Sequence, residues 1–96
     1  MSMEQVQEVT RVRLPRGKEV IGTVIEMLGA SRFRVDCKDK NVRICRIPGK
    51  LKRRLWIKSG NIVILVPWDI DAKERGDIIW RYTPAQADWL MKKGYI

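Results

Sequence analysis

The chain of 96 residues contains no histidine. That absence removes the side chain whose charge changes most readily near neutral pH, and with it the usual general base. The two cysteines, Cys37 and Cys45, have no histidine to complete a metal site and are not spaced as a CxxC pair. Neither cysteine has a base to activate it, and Ser2, Ser31 and Ser59 lack the partner a hydrolase needs. The only carboxylate cluster, Asp69, Asp71, Glu74 and Asp77, is broken by Lys73 and Arg75. It lacks the glycine and ligand rhythm of a calcium loop, and reads as a solvated charged turn. No catalytic group, metal or cofactor is expected, so the chain is not read as an enzyme.

Long apolar runs are missing too. No stretch reaches membrane-spanning length, and residues 1–18 lack the apolar core of a secretion signal. The expectation is a cytoplasmic protein with no membrane partner, its thiols reduced. If residues 31–37 and 41–47 form a tight hairpin, Cys37 faces Asn41 and Cys45 faces Phe33, which disfavours a disulfide on geometry.

The most informative absence is local. Residues 42–58 hold no Asp or Glu, yet carry Arg43, Arg46, Lys50, Lys52, Arg53, Arg54 and Lys58. Such a run would ordinarily be a disordered tail. Here it is interleaved with Val42, Ile44, Ile47, Leu51, Leu55 and Ile57, which predicts a folded segment that fixes a row of cations beside Trp56. The net charge of +9 and pI near 10.1 point the same way, to a polyanion with stackable bases.

Residues 1–18 read as a flexible basic arm, with Arg11, Arg13, Arg16 and Lys18 around Pro15 and Gly17. From residue 19 the texture is mainly β. Strands are predicted over residues 19–28, 31–37, 41–47, 62–68 and 77–82, with Gly22 at a bend in the first. In the second, Arg32, Arg34 and Asp36 alternate with Phe33, Val35 and Cys37. The fourth is apolar on both faces, as a doubly buried strand would be. Residues 49–55 suit a short helical turn, and residues 69–76 a polar loop. The last element is a helix, with Thr83 as N-cap, Pro84 at the first position, Gln86 closing a capping box and Gly94 as stop. The order suggests a monomeric five-stranded Greek-key barrel of the OB type over residues 19–82, with residues 83–96 as a C-terminal helix packed on it. An SH3-like barrel is the competing architecture.

In an OB barrel the second and third strands present the ligand surface. Arg32 and Arg34 fall on one, Arg43 and Arg46 on the other, with Lys50, Lys52, Arg53, Arg54 and Lys58 at the rim. Guanidinium groups fork onto phosphates whereas lysines act as point charges, so the mixture suggests phosphate tracking with limited base reading. Trp68 and Trp80 read as core or core-edge residues, and Trp89 as a cover for the barrel. Trp56 suits either stacking on a base or packing.

The run Ile47-Pro48-Gly49-Lys50-Leu51-Lys52-Arg53-Arg54-Leu55-Trp56-Ile57 closely resembles the signature of the translation initiation factor 1A family of archaea and eukaryotes. Gly22-Thr23-Val24, Arg43 with Cys45, and Asp77-Ile78-Ile79 before Tyr82 add to the resemblance, which spans residues 18–90. It implies an S1-like OB fold that binds the decoding region of the small ribosomal subunit. There it occupies the A site, helps retain initiator tRNA and mRNA, favours subunit dissociation and catalyses nothing. By position, Arg46, Lys50, Lys52, Arg53, Arg54 and Trp56 take over the family's rRNA contacts. Small-subunit rRNA is thus the implied direct partner, initiator tRNA and mRNA indirect ones, and other initiation factors further ones. Two departures stand out. The turn at Lys38-Asp39-Lys40-Asn41 lacks a glycine often present there, and the chain stops at Ile96 without the acidic tail of eukaryotic members, an archaeal-looking form. The alternative is a general single-strand RNA binder of cold-shock type. A third reading, an adaptor binding protein through the barrel wall, leaves the cations without a role.

Overall fold

The structure is a computed structural model that describes residues 12–96. Of the basic arm, the portion before residue 12 therefore lies outside the described residues. Five strands close into a barrel: β1 (Val20–Gly29), β2 (Arg32–Cys37), β3 (Val42–Arg46), β4 (Ile62–Pro67) and β5 (Arg75–Arg81). Around the barrel they run β1-β2-β3-β5-β4, so β1 pairs with both β2 and β4. All pairings are antiparallel except β3 with β5. This is the OB-type Greek key expected from the strand order, with one α-helix among the described residues, α1 (Pro84–Lys92), following β5.

The alternation read in β2 is the alternation that builds the core. Phe33, Val35 and Cys37 point inward, and Arg32, Arg34 and Asp36 outward. With Val24, Cys45, Ile47, Ile57, Val63, Leu65 and Ile78 they fill the barrel. Phe33 pairs with Cys45, and the Cys37 amide donates to the carbonyl of Asn41, so both cysteines are buried and free as expected. Gly22 is required by proximity. A Cβ there would stand 2.5 Å from Cγ1 of Val35, closer than real methyl groups approach.

The apolar character of β4 has a physical reason. Val63 and Leu65 face the barrel interior, while Ile64 faces an outer cluster with Ile21, Tyr82 and Leu90 of α1. Val12, Leu14, Trp89 and Ile96 pack onto that second cluster. The Tyr82 hydroxyl donates to the Arg13 carbonyl, and the Arg13 guanidinium pairs with Glu19 at 3.0 Å. Arg13 also lies across Trp80, 5.3 Å from the ring centre, and Trp80 is partly exposed on the outer wall, at the margin of the core rather than within it.

Helix α1 carries the punctuation read in the sequence. Thr83 accepts from the Gln86 amide, and the Gln86 side chain accepts from the Thr83 amide. At the other end Gly94 takes φ +83°, while the Tyr95 amide donates to Leu90 and the Gly94 amide to Met91. This closure stacks the Tyr95 ring on Trp89, with centroids 5.8 Å apart.

Burial sets an alkaline limit to the fold. It pushes the Cys45 thiol from 9.0 up to about 12, and the Tyr82 hydroxyl from 10.0 to about 12. Both groups stay protonated in the fold at pH values where the unfolded chain releases its protons. Their contribution is therefore complete below pH 9 and is lost as pH rises toward 12. Thermal melts from pH 7 upward should show Tm falling from about pH 9 in the parent. In Cys45→Ala the decline should be shallower rather than absent, because Cys37, whose thiol burial also pushes up, and Tyr82 still titrate.

Candidate nucleic-acid interface

The segment between β3 and β4 turns the expected cation run into a surface. Gly49–Leu51 forms a short 3-10 turn, continued by the Arg54 and Leu55 amides donating to Leu51. One helical turn puts Leu51 and Leu55 on the same side, and both pack against the barrel core. Lys52, Arg53 and Arg54, between them, fan outward and are exposed. The chain then extends. Leu55 and Ile57 face in, so Trp56 between them faces out, with 77% of its surface exposed. Lys50 and Lys58 are exposed as well. Among the described residues none of Lys50, Lys52, Arg53, Arg54 and Lys58 forms an ion pair with a carboxylate.

The barrel wall beside this loop carries more cations. Strand register aligns Arg32 with Arg46, and Arg46 with Asp77; one step along, Arg34 aligns with Ile44, and Ile44 with Arg75. Two arginines directly opposite each other are unfavourable for a sheet, by about 0.2–1 kcal/mol. Asp77 relieves part of this, accepting from Nε of Arg46 at 3.1 Å. Arg34 is paired with Glu26 at 2.6 Å, whereas Arg32 has no ion pair among the described residues. A cavity of about 340 Å³ opens here, lined by Arg32, Arg46, Lys52, Arg75 and Trp68 with Ile44.

Arg43 does not join this face. Its side chain is 3% exposed and turns into the end of the barrel. Both terminal nitrogens donate to the Asp39 carboxylate, at 2.9 and 2.8 Å, and Nε donates to the Ala72 carbonyl at 2.6 Å. The Asp39 carboxyl is held below its ordinary range by that guanidinium, and the guanidinium is held more firmly protonated by the carboxylate. The reason is parity. Cys45 faces the core, so Arg43 two places earlier faces inward too, and Arg46 outward. The expectation that Arg43 and Arg46 share the outer surface conflicts with this alternation.

Three residues of the interface escape a reading by local pattern: Trp68, Arg75 and Asp77. Strand β5 begins at Arg75, inside the stretch expected as a polar loop, and its first residues pair parallel with β3. Gly76 permits this, since a Cβ there would meet Leu65 and the Val66 carbonyl at 3.1 Å. Trp68 is half-buried, and its indole N–H donates to Asp77 at 2.8 Å. Arg46 lies over its ring at 4.8 Å and Arg75 at 5.8 Å.

A barrel with this topology and an exposed basic loop between β3 and β4 can be compared with known proteins. The family model for translation initiation factor 1A / IF-1 matches residues 9–96. The chain belongs to the translation initiation factor 1A family.

The relatives agree along nearly their whole length. Translation initiation factor 1A of Methanococcus aeolicus is 54% identical over 92 residues, covering 94% of this chain and 88% of the relative. That of Archaeoglobus fulgidus is 48% identical over 96 residues, covering 98% of both. Among solved structures, the solution structure of translation initiation factor 1 from the Wolbachia endosymbiont of Brugia malayi superimposes with a TM-score of 0.54. It is 35% identical, and the match covers 69% of this chain and 78% of that one. The initiation factor 1A family is one of translation factors, not enzymes, in keeping with the histidine-free sequence. Among the described residues no helix is long and apolar enough to cross a membrane.

Proposed function

We propose that this protein acts in the cytoplasm as a monomer that binds the decoding region of the small ribosomal subunit at the A site. In that position it stabilises initiator tRNA and mRNA and favours subunit dissociation. The observation that carries this reading is the exposed set Lys50, Lys52, Arg53, Arg54 and Lys58 around Trp56, without ion pairs among the described residues and continuous with Arg32 and Arg46 on the barrel wall. Structured rRNA offers closely spaced phosphates for such a set and unstacked bases for the indole. The rRNA is the direct partner; initiator tRNA and mRNA are held indirectly, and other initiation factors join on the same subunit.

The cold-shock alternative requires aromatic platforms on the outer faces of β2 and β3. Those faces carry Arg32, Arg34 and Asp36, and Val42, Ile44 and Arg46, while Phe33 points into the core. Chemical footprinting of small subunits with and without the protein tests the choice. Protection of the decoding site, relieved by A-site tRNA, is the expected result. Equal affinity for any single-stranded RNA would overturn it.

Trp56→Ala should weaken subunit binding by about 1–3 kcal/mol, the worth of one stacked base. An indole this exposed contributes little packing, so Tm should stay within the small range of surface substitutions. Binding titrations beside thermal melts check both parts.

A further inference from the structure

Asp77 is a carboxylate set in the middle of a cationic face, which is an odd place for one. Its Oδ1 atom accepts two hydrogen bonds, from Nε of Arg46 at 3.1 Å and from the indole N–H of Trp68 at 2.8 Å. The two donors come from β3 and from the residue just after β4, while Asp77 itself belongs to β5. One oxygen thus ties three chain segments at the wall of the cationic cavity. The consequence for Arg46 is specific. Among the described residues its only side-chain hydrogen bond uses Nε, so its terminal nitrogens remain available as a fork, and the guanidinium is fixed 4.8 Å above the Trp68 ring. The consequence for Trp68 is equally specific. With its N–H engaged and arginines close to its ring, the indole cannot turn over.

On the reading that this face binds rRNA, we infer that Asp77 is its specificity-determining residue: it positions Arg46 and Trp68 for one RNA geometry and opposes polyanions that cannot use it. A negative charge here weakens attraction to nearby phosphates whatever RNA carries them. Only an RNA that engages the positioned Arg46 fork and the ring edge recovers that loss. A bystander carboxylate and a positioning one therefore differ in sign. Removing a bystander tightens binding to all RNA. Removing Asp77 should tighten indiscriminate binding and loosen specific binding at once.

The test uses the full chain and two variants, Asp77→Ala and Asp77→Asn, measured against purified small subunits and against polyuridylate. A third readout is the indole N–H resonance of Trp68, one of four indoles in the chain. Asp77→Ala loses both hydrogen bonds. Subunit affinity should fall about tenfold while polyuridylate affinity rises about twofold, and the Trp68 resonance should shift and exchange faster. Asp77→Asn keeps an acceptor oxygen but no charge. It should restore the Trp68 resonance and bring subunit affinity back to within about threefold of the parent, yet bind polyuridylate as tightly as the alanine variant. Subunit and polyuridylate affinities rising together in both variants would overturn the inference, as would an unmoved Trp68 resonance in Asp77→Ala. If the alanine variant does not fold, the asparagine variant decides alone, because unchanged polyuridylate binding there removes the charge argument. A parent that shows no preference for small subunits refutes the functional reading instead, and the Trp68 resonance still tests the positioning.

Discussion

Replacing Lys52, Arg53 and Arg54 together by alanine should flatten the dependence of log affinity on log salt by roughly 1.5–2 units. The three side chains leave one helical turn in three directions, so they cannot share a phosphate. On the proposed reading two of them should meet phosphates and the third stay solvated, and each lost contact should remove roughly 0.7–0.9 from the slope. Affinity at low salt should drop at least about a hundredfold, from two charge-assisted contacts. Stability should hardly change, because the anchors of this loop are Leu51 and Leu55, and the three cations have no ion pair among the described residues. Subunit binding across a salt series, for parent and triple variant, measures the slope directly. An unaltered slope would mean that these cations only solvate the loop.

Arg43→Met should produce the opposite profile, a large loss of stability with little change in RNA binding at low temperature. The substitution leaves the Ala72 carbonyl and the Asp39 carboxylate without their donors. Breaking a buried pair costs about 3–5 kcal/mol; Asp39 is itself 37% exposed and can regain water, which places the loss near 3. For a chain of this size that lowers Tm by roughly 12–24 °C. Arg43→Lys should not rescue it, since one ammonium cannot fork onto Asp39 and reach Ala72 together. The pH dependence carries a second signature. Asp39 titrates below its ordinary 3.8 in the fold, so its stabilisation is complete above that value and disappears as pH falls through the lower folded one. That acid limb should vanish from the variant. Thermal melts against pH, with subunit binding measured well below Tm, separate the two profiles.

The contrast between Arg43 and its neighbours marks where a sequence is legible. Strand β2 was readable because strict alternation has only one arrangement that buries Phe33, Val35 and Cys37. Helix α1 was readable because Thr83, Pro84, Gln86 and Gly94 each have a local job that no distant contact alters. For Arg43 the information lies in parity: residues three places apart on a strand face opposite ways, and the inward Cys45 decides which of Arg43 and Arg46 is buried. The same rule applied to Leu55, Trp56 and Ile57 would have turned Trp56 outward. Asp77 and Arg75 are different. Their partners lie across a parallel pairing of β3 with β5, and no local pattern announces which strand will lie beside which. The acids and bases of residues 69–76 look like a solvated loop until Arg75 and Gly76 are seen to complete a barrel wall.

That parallel pairing also bears on how the chain is made. A ribosome releases β3 before β5, and if β3 pairs with β2 in that interval, the edge of Val42–Arg46 that β5 later covers stays open. An open strand edge rich in apolar residues is a template for joining other nascent chains. The cations at Arg46 and at residues 50–54 follow directly behind, and they set like charges against any second copy that approaches the edge. On the proposed reading, the lysines and arginines that meet RNA in the finished protein would also repel a second half-finished barrel.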